Sequence, residues 1–281
     1  MITINLMGGL GNQLFQIFAL ISLCFSKKIS FKLPINKRDI VSPHNNNCLR
    51  PTYWDSIFKY IKMFTIQFEN TTIQLKEPSF NYNSFDNLQL NNNNNYKLLG
   101  YFQSYKYFEN NYNNINKLLR LDQQINNIKN ENIQYFKQDI ISLHFRIGDY
   151  KNIQSYHPIL DIKYYIKAIE YIQNKKKINK VLYFSEIQDK IEIEAKISSL
   201  KNLFPSIEFI ECNNNLHDWE QLLLMSCCQH NIIANSSFSW WGAYLNNNPD
   251  KIVCYPSIWF GPSINNDTRD LFPNNWNKID L

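Results

Sequence analysis

The chain has 281 residues, enough for two domains of ordinary size or one large α/β domain, and its 44 % apolar and 15 % aromatic content excludes a disordered polymer. Its formal net charge is +5, from 29 basic and 24 acidic side chains, and the only short basic cluster is Lys175 to Lys177. So mild and scattered a charge argues against a nucleic-acid-binding face, though it suits a small anionic ligand.

In chain order, Ile2 to Leu6 reads as a buried strand, residues 8–11 as a glycine turn, Gln13 to Phe25 as a helix and Ile29 to Leu33 as a second strand. This β-loop-α-β start opens a doubly wound sheet. The apolar stretch Leu14 to Phe25 is interrupted by Gln16 and Ser22 and no basic leader precedes it, so neither a signal peptide nor a membrane span is expected. The expectation is a soluble cytoplasmic protein. Residues 34–90 are irregular and aromatic-rich, with a short helix expected over Tyr53 to Lys62. The asparagine runs at 45–47, 91–95, 213–215 and 246–248 are expected to be surface loops.

A polar helical stretch follows from Tyr112 to Gln138, and then strands and helices alternate regularly. Strands are expected at 140–145, 180–184, 207–210, 231–234 and 252–255, with helices at 162–173, 190–200, 218–227 and 238–245. Such alternation with short connections predicts a second parallel sheet covered on both faces. The expected division is an N-terminal domain over 1–125 and a C-terminal domain over 126–281. Six cysteines (24, 48, 212, 227, 228, 254) form no Cys-x-x-Cys pair and have no histidine at zinc spacing, so thiols and no metal site are expected.

Three segments fall at the carboxyl ends of strands, where doubly wound sheets bind ligands. In Gly8-Gly9-Leu10-Gly11-Asn12-Gln13, bare glycines let backbone N–H groups approach an anion or a sugar at the positive end of the following helix. A tight packing turn explains the glycines equally well. The segment is neither a Walker A loop nor a dinucleotide fingerprint, which argues against a P-loop kinase. In "SLHFRIGDYK" (142–151), His144 and Arg146 share one strand face and Arg146 suits a pyrophosphate. Asp149 either orients its neighbours or takes a proton from an acceptor hydroxyl, with His144 the second candidate base. In "IIANSSFSWWGAYL" (232–245), Asn235, Ser236, Ser237 and Ser239 surround a helix start that favours phosphate, and Trp240 or Trp241 offers a wall for a base or sugar. Asp218 and Glu220 head an earlier helix, within reach of a ribose or guanine, but the favoured reading is that they complement the helix dipole.

"MGGLGNQLFQ", "LLGYFQSYKYF", "HFRIGDY" and "LMSCCQHNIIANSSFSWWGAYL" stand in that order over nearly the whole chain. Together they resemble the family 11 glycosyltransferases, the α1,2-fucosyltransferases. The resemblance implies a GT-B architecture, with two facing Rossmann-like domains and a donor-binding cleft between them. It implies inverting transfer of fucose from GDP-fucose to a glycan acceptor, without a metal or other cofactor. Arg146 matches the first arginine of the family's His-x-Arg-Arg-x-Asp motif and is expected on the β-phosphate, with His144 and Asp149 at the motif's ends. Gly9, Gly11, Asn12 and Gln13, with Asn235, Ser236, Ser237, Ser239 and Trp240, are the expected donor contacts. Ile147 replaces the motif's second arginine, which leaves room for a different nucleotide-deoxysugar or for a non-catalytic sugar- or nucleotide-binding module. The expected partners are a nucleotide sugar and a glycan, with no nucleic acid; nothing in the sequence specifies an oligomeric state.

Overall fold

The computed structural model describes residues 1–35, 40–42, 45–67 and 73–281, with side chains left out at 40–42 and 45–49. The protein is α/β with parallel sheets, and the chain divides into two compact units, 1–124 with 266–273 and 125–265 with 274–281.

In the first unit, β1 (Ile2–Ile4) leads through the glycine turn into α1 (Leu10–Lys27). Helix α1 is apolar nearly all round and, Asn12 apart, buried from Leu10 to Cys24, as a helix through a core must be. It ends where Lys28 turns left-handed (φ 54°) and its N–H returns to the carbonyls of Cys24 and Phe25. Then come β2 (Leu33–Pro34), β3 (Ile40–Ser42), β4 (Asn45–Arg50), β5 (Thr65–Ile66), β6 (Ile73–Lys76), β7 (Tyr96–Leu99) and α2 (Tyr112–Leu119). Strands β1, β7 and β6 form a parallel sheet in that order, and β2 pairs with β5.

Three expectations change here. The strand expected at 29–33 is reduced to a bridge between Phe31 and Ile2 followed by two-residue β2, because Pro34 has no N–H to extend a ladder. The helix expected over 53–62 is a series of turns followed by a 3₁₀ helix, Lys59–Phe64, which buries Ile57, Phe58 and Ile61. Asn45 to Asn47 lie in β4, paired antiparallel with β3, rather than in a loop.

Helix α3 (Leu121–Glu131) carries the chain into the second unit. There β8 (Ile140–His144), α4 (Ile162–Gln173), β9 (Lys180–Phe184), α5 (Lys190–Leu203), β10 (Glu208–Glu211), α6 (Asp218–Ser226), β11 (His230–Ile232), α7 (Ser237–Tyr244), β12 (Val253–Pro256) and β13 (Asn277–Ile279) follow in turn. All six strands are parallel, in the order β10-β9-β8-β11-β12-β13. The chain starts in the middle, works outward through β9 and β10, then returns to build the other half. Strand order therefore reverses between β8 and β11, and the crevice outside their carboxyl ends is the topological switch point at which such sheets bind ligands.

The segment 266–273 was expected in the C-terminal half but packs within the first unit. There the side chain of Asp270 accepts from Lys106 and from the Tyr82 N–H, while Ser104 donates to the Asp270 carbonyl. Asn246 was expected in a surface loop, yet it is buried and its carboxamide donates to the Cys228 carbonyl and to Asn231 Oδ1.

Candidate active site

Along β8 and just past it, side chains alternate between two environments. Ile141, Leu143, Phe145 and Ile147 enter an apolar cluster with Tyr164, Tyr165 and Ile169 of α4. Ser142 and His144 take the other side, where Ser142 accepts from Asn231 at 2.7 Å and the His144 ring lies 5.5 Å from that of Phe238. Ile147 thus points away from the site, and the place of the motif's second arginine holds a core side chain.

His144 is only 6 % exposed, and burial, reinforced by the nearby Arg146 charge, pushes its pKa down to about 3. An imidazole so reluctant to take a proton stays neutral, so the second candidate base is withdrawn.

Arg146 lies past the end of β8, with Nη2 on Asp149 and Nη1 on Glu186. Its guanidinium also lies over the Tyr150 ring, 5.1 Å from the centroid. Burial alone would lower its pKa, but Tyr150, Glu186 and Asp149 more than offset this and raise it, so the group is a permanent cation. Its side chain keeps 17 % exposure, enough for one edge to meet a ligand.

Glu186, two residues beyond β9, was not singled out from the sequence. An acidic residue following the second strand of a doubly wound sheet was the available signal. It rests in a cradle: Gly148 has φ +26°, and a Cβ there would stand 2.4 Å from Glu186 Oε2. The Gly148 N–H donates to the buried Asp189 at 2.6 Å, and Lys151 pairs with Asp189 and Glu192. The loop that carries Arg146 is therefore fixed by charge-assisted bonds.

Across the switch point, the chain leaves β11 into Asn235, Ser236 and α7. Asn235 is buried and its carboxamide donates to the carbonyls of Pro158 (2.9 Å) and Trp259 (3.3 Å), joining the loops after β8 and β12. Ser236 caps α7 by accepting from the Phe238 N–H at 3.3 Å, and half-buried Ser237 opens the helix. Ser239 is turned inward, accepting from the Ala234 N–H and donating to the Ser236 carbonyl. Trp240 requires a correction: it is fully buried, stacked on Tyr244 at 4.7 Å and tilted against Trp276 at 5.3 Å. Because its indole fills the core behind the helix, it is no wall for a ligand. Glu220 was expected to complement a helix dipole, and it accepts the His217 N–H at the start of α6.

The glycine segment belongs to the first unit. Gly8 has φ +73°, and a Cβ there would meet Asn12 Nδ2 at 2.3 Å, so a side chain at this turn would be strained and would displace Asn12. A Cβ on Gly9 would meet nothing within 4 Å. Gly9 is also the N-cap of α1 and brings no side chain to the helix's first N–H groups. Gly11 is buried in the first turn, and Asn12 Oδ1 accepts from Gln103 at 2.8 Å. Gln13 corrects an expectation: it is fully buried and its amide donates to the carbonyls of Gly8 (3.1 Å) and Pro51 (2.9 Å), holding the turn from behind. Gln16, which was missed, accepts the Met7 N–H at 2.9 Å.

Among the described residues no group of three His, Cys, Asp or Glu is placed to hold a metal ion, and no helix is long and apolar enough to cross a membrane.

The profile of Glycosyl transferase family 11 matches residues 1–280. An O-antigen biosynthesis glycosyltransferase, WbnK, from Escherichia coli is 33 % identical over 211 residues, 72 % of this chain and 66 % of that protein. An alpha-1,2-colitosyltransferase, also from Escherichia coli, is 29 % identical over 293 aligned positions, 98 % of each chain. Among solved structures, the Escherichia coli ADP-heptose lps heptosyltransferase II superposes with a TM-score of 0.46 at 10 % identity, covering 99 % of this chain and 89 % of that one. With the family profile spanning all but one residue, the chain belongs to glycosyltransferase family 11.

Proposed function

We propose that this glycosyltransferase moves a deoxyhexose, fucose in the first instance, from a GDP-linked donor to O2 of a galactoside, with inversion and an α1,2 linkage. The observation that carries the reading is Arg146, a permanent cation at the switch point, with the start of α7 on the facing strand end. In this reading the acceptor hydroxyl attacks C1 of the sugar opposite the departing diphosphate, through an oxocarbenium-like transition state. Negative charge then builds on the diphosphate, and Arg146 with the backbone N–H groups around Ser236 and Ser237 stabilises it. Preorganised donors of this kind suffice without a metal. Asp149 is engaged by Arg146 Nη2, so its task here is to orient the guanidinium, and the proton of the attacking hydroxyl leaves to solvent water as the new C1–O bond forms and the bond to the diphosphate breaks. Gly9, Gly11 and Asn12 are further proposed donor contacts, through the first N–H groups of α1.

A second donor is favoured by one relative. The relative named for alpha-1,2 colitosyl transfer brings a different deoxysugar. A panel of nucleotide sugars with a galactoside acceptor separates the readings by released nucleotide and by the linkage formed. Turnover with GDP-fucose or GDP-colitose supports the proposal. Turnover confined to UDP-sugars, or nucleotide binding without hydrolysis or transfer, overturns it.

A further inference from the structure

Arg146 and the start of α7 come from different strand ends, and Tyr150 touches both sides. Its ring lies under the Arg146 guanidinium at 5.1 Å, and its hydroxyl donates to the Asn235 carbonyl at 3.0 Å. The same ring stacks on His157 at 5.0 Å with planes 23° apart, and the side chain is buried. Asn235 immediately precedes the Ser236 cap of α7 and is itself fastened to Pro158 and Trp259. One aromatic side chain therefore links the motif cation to the residue from which the facing helix starts.

We propose that Tyr150 is a positioning residue that fixes the plane and distance of the Arg146 guanidinium relative to the first N–H groups of α7, so that both reach the same diphosphate. This rests on the reading that Arg146 binds the diphosphate. The two carboxylates on Arg146 hold its two terminal nitrogens but not the tilt of its plane. A ring against its face supplies that constraint, worth ~0.5 to 2 kcal/mol depending on desolvation. Phenylalanine would keep the ring but lose the tether, leaving the Asn235 carbonyl short of a donor.

The test is calorimetric titration of GDP and of GMP, which lacks the terminal phosphate, into wild type, Tyr150→Phe, Tyr150→Leu, Arg146→Ala and the Arg146→Ala/Tyr150→Leu double variant. Tyr150→Leu is expected to weaken GDP about 2- to 30-fold and Tyr150→Phe about 5-fold. GMP affinity should change less than about 2-fold in either, because the damage is confined to the group Arg146 holds. In the Arg146→Ala background, Tyr150→Leu should add almost nothing. Tyr150 variants that bind GDP like wild type, or that lose GDP and GMP equally, overturn the inference. Should the Leu variant fail to fold, the Phe variant decides it by the same ratio. Undiminished GDP binding by Arg146→Ala refutes the site reading itself, a result distinct from failure of the Tyr150 variants alone.

Discussion

Replacing His144 by Gln should flatten the acid side of the protein's stability profile. Burial and the neighbouring Arg146 charge pull the imidazole from its ordinary 6.5 down to about 3, so below pH 6.5 the unfolded chain takes up a proton that the folded chain refuses. Stability is therefore lost as pH falls from 6.5 towards 3, and is unaffected by this group above 6.5. At pH 5 the folded value lies too low to matter, and the loss is fixed by the unfolded pKa alone, at about 1.36 kcal/mol per unit, or about 2 kcal/mol relative to pH 7.5. Urea unfolding at about pH 7.5 and pH 5 would measure it, with wild type losing about 2 kcal/mol more than His144→Gln across that interval. His230 is also lowered, by burial first and then by Lys176, but it is present in both proteins and cancels. Parallel pH dependence in the two proteins would refute the burial argument, and with it the withdrawal of His144 as a base.

The two turn glycines should separate cleanly. Gly8→Ala, strained at φ +73° and crowding Asn12, should lower stability by about 1 to 3 kcal/mol in thermal or urea unfolding. Gly9→Ala has open space, so its unfolding midpoint should match wild type while transfer activity falls; full activity would remove Gly9 from the donor site. Asp149→Asn should lower kcat/KM without moving the acid limb of its pH profile, whereas a displaced or lost acid limb would make Asp149 the proton acceptor. Chelation with EDTA should leave transfer intact; loss restored only by a divalent ion would contradict a leaving group stabilised by protein donors alone.

The second unit was largely legible in the sequence because each strand there is a short apolar run and each helix a longer periodic one; α4 and β9 fall at the expected residues. The position of Arg146 and Ser236 at facing strand ends follows from the same pattern. What escaped was tertiary. β13 is a three-residue Asn-Lys-Ile strand with one buried side chain, stabilised by pairing with β12 rather than by its own composition. The segment 266–273 is read locally as an irregular tail, and its tertiary bonds to Tyr82, Ser104 and Lys106 place it with the first unit. Trp240 and Gln13 sit beside candidate ligand groups in sequence but face inward, and a helix of eight residues with weak amphipathicity gives no sign of which side is covered. Glu186 lies 40 residues from Arg146, beyond the reach of any local motif.

The most direct test is the steady-state rate of Arg146→Ala with a GDP-deoxyhexose donor. Removing a preorganised charged donor costs about 2.7 to 4 kcal/mol of transition-state stabilisation, so turnover should fall roughly a hundredfold or more in a variant that remains folded. Turnover equal to wild type would contradict the account.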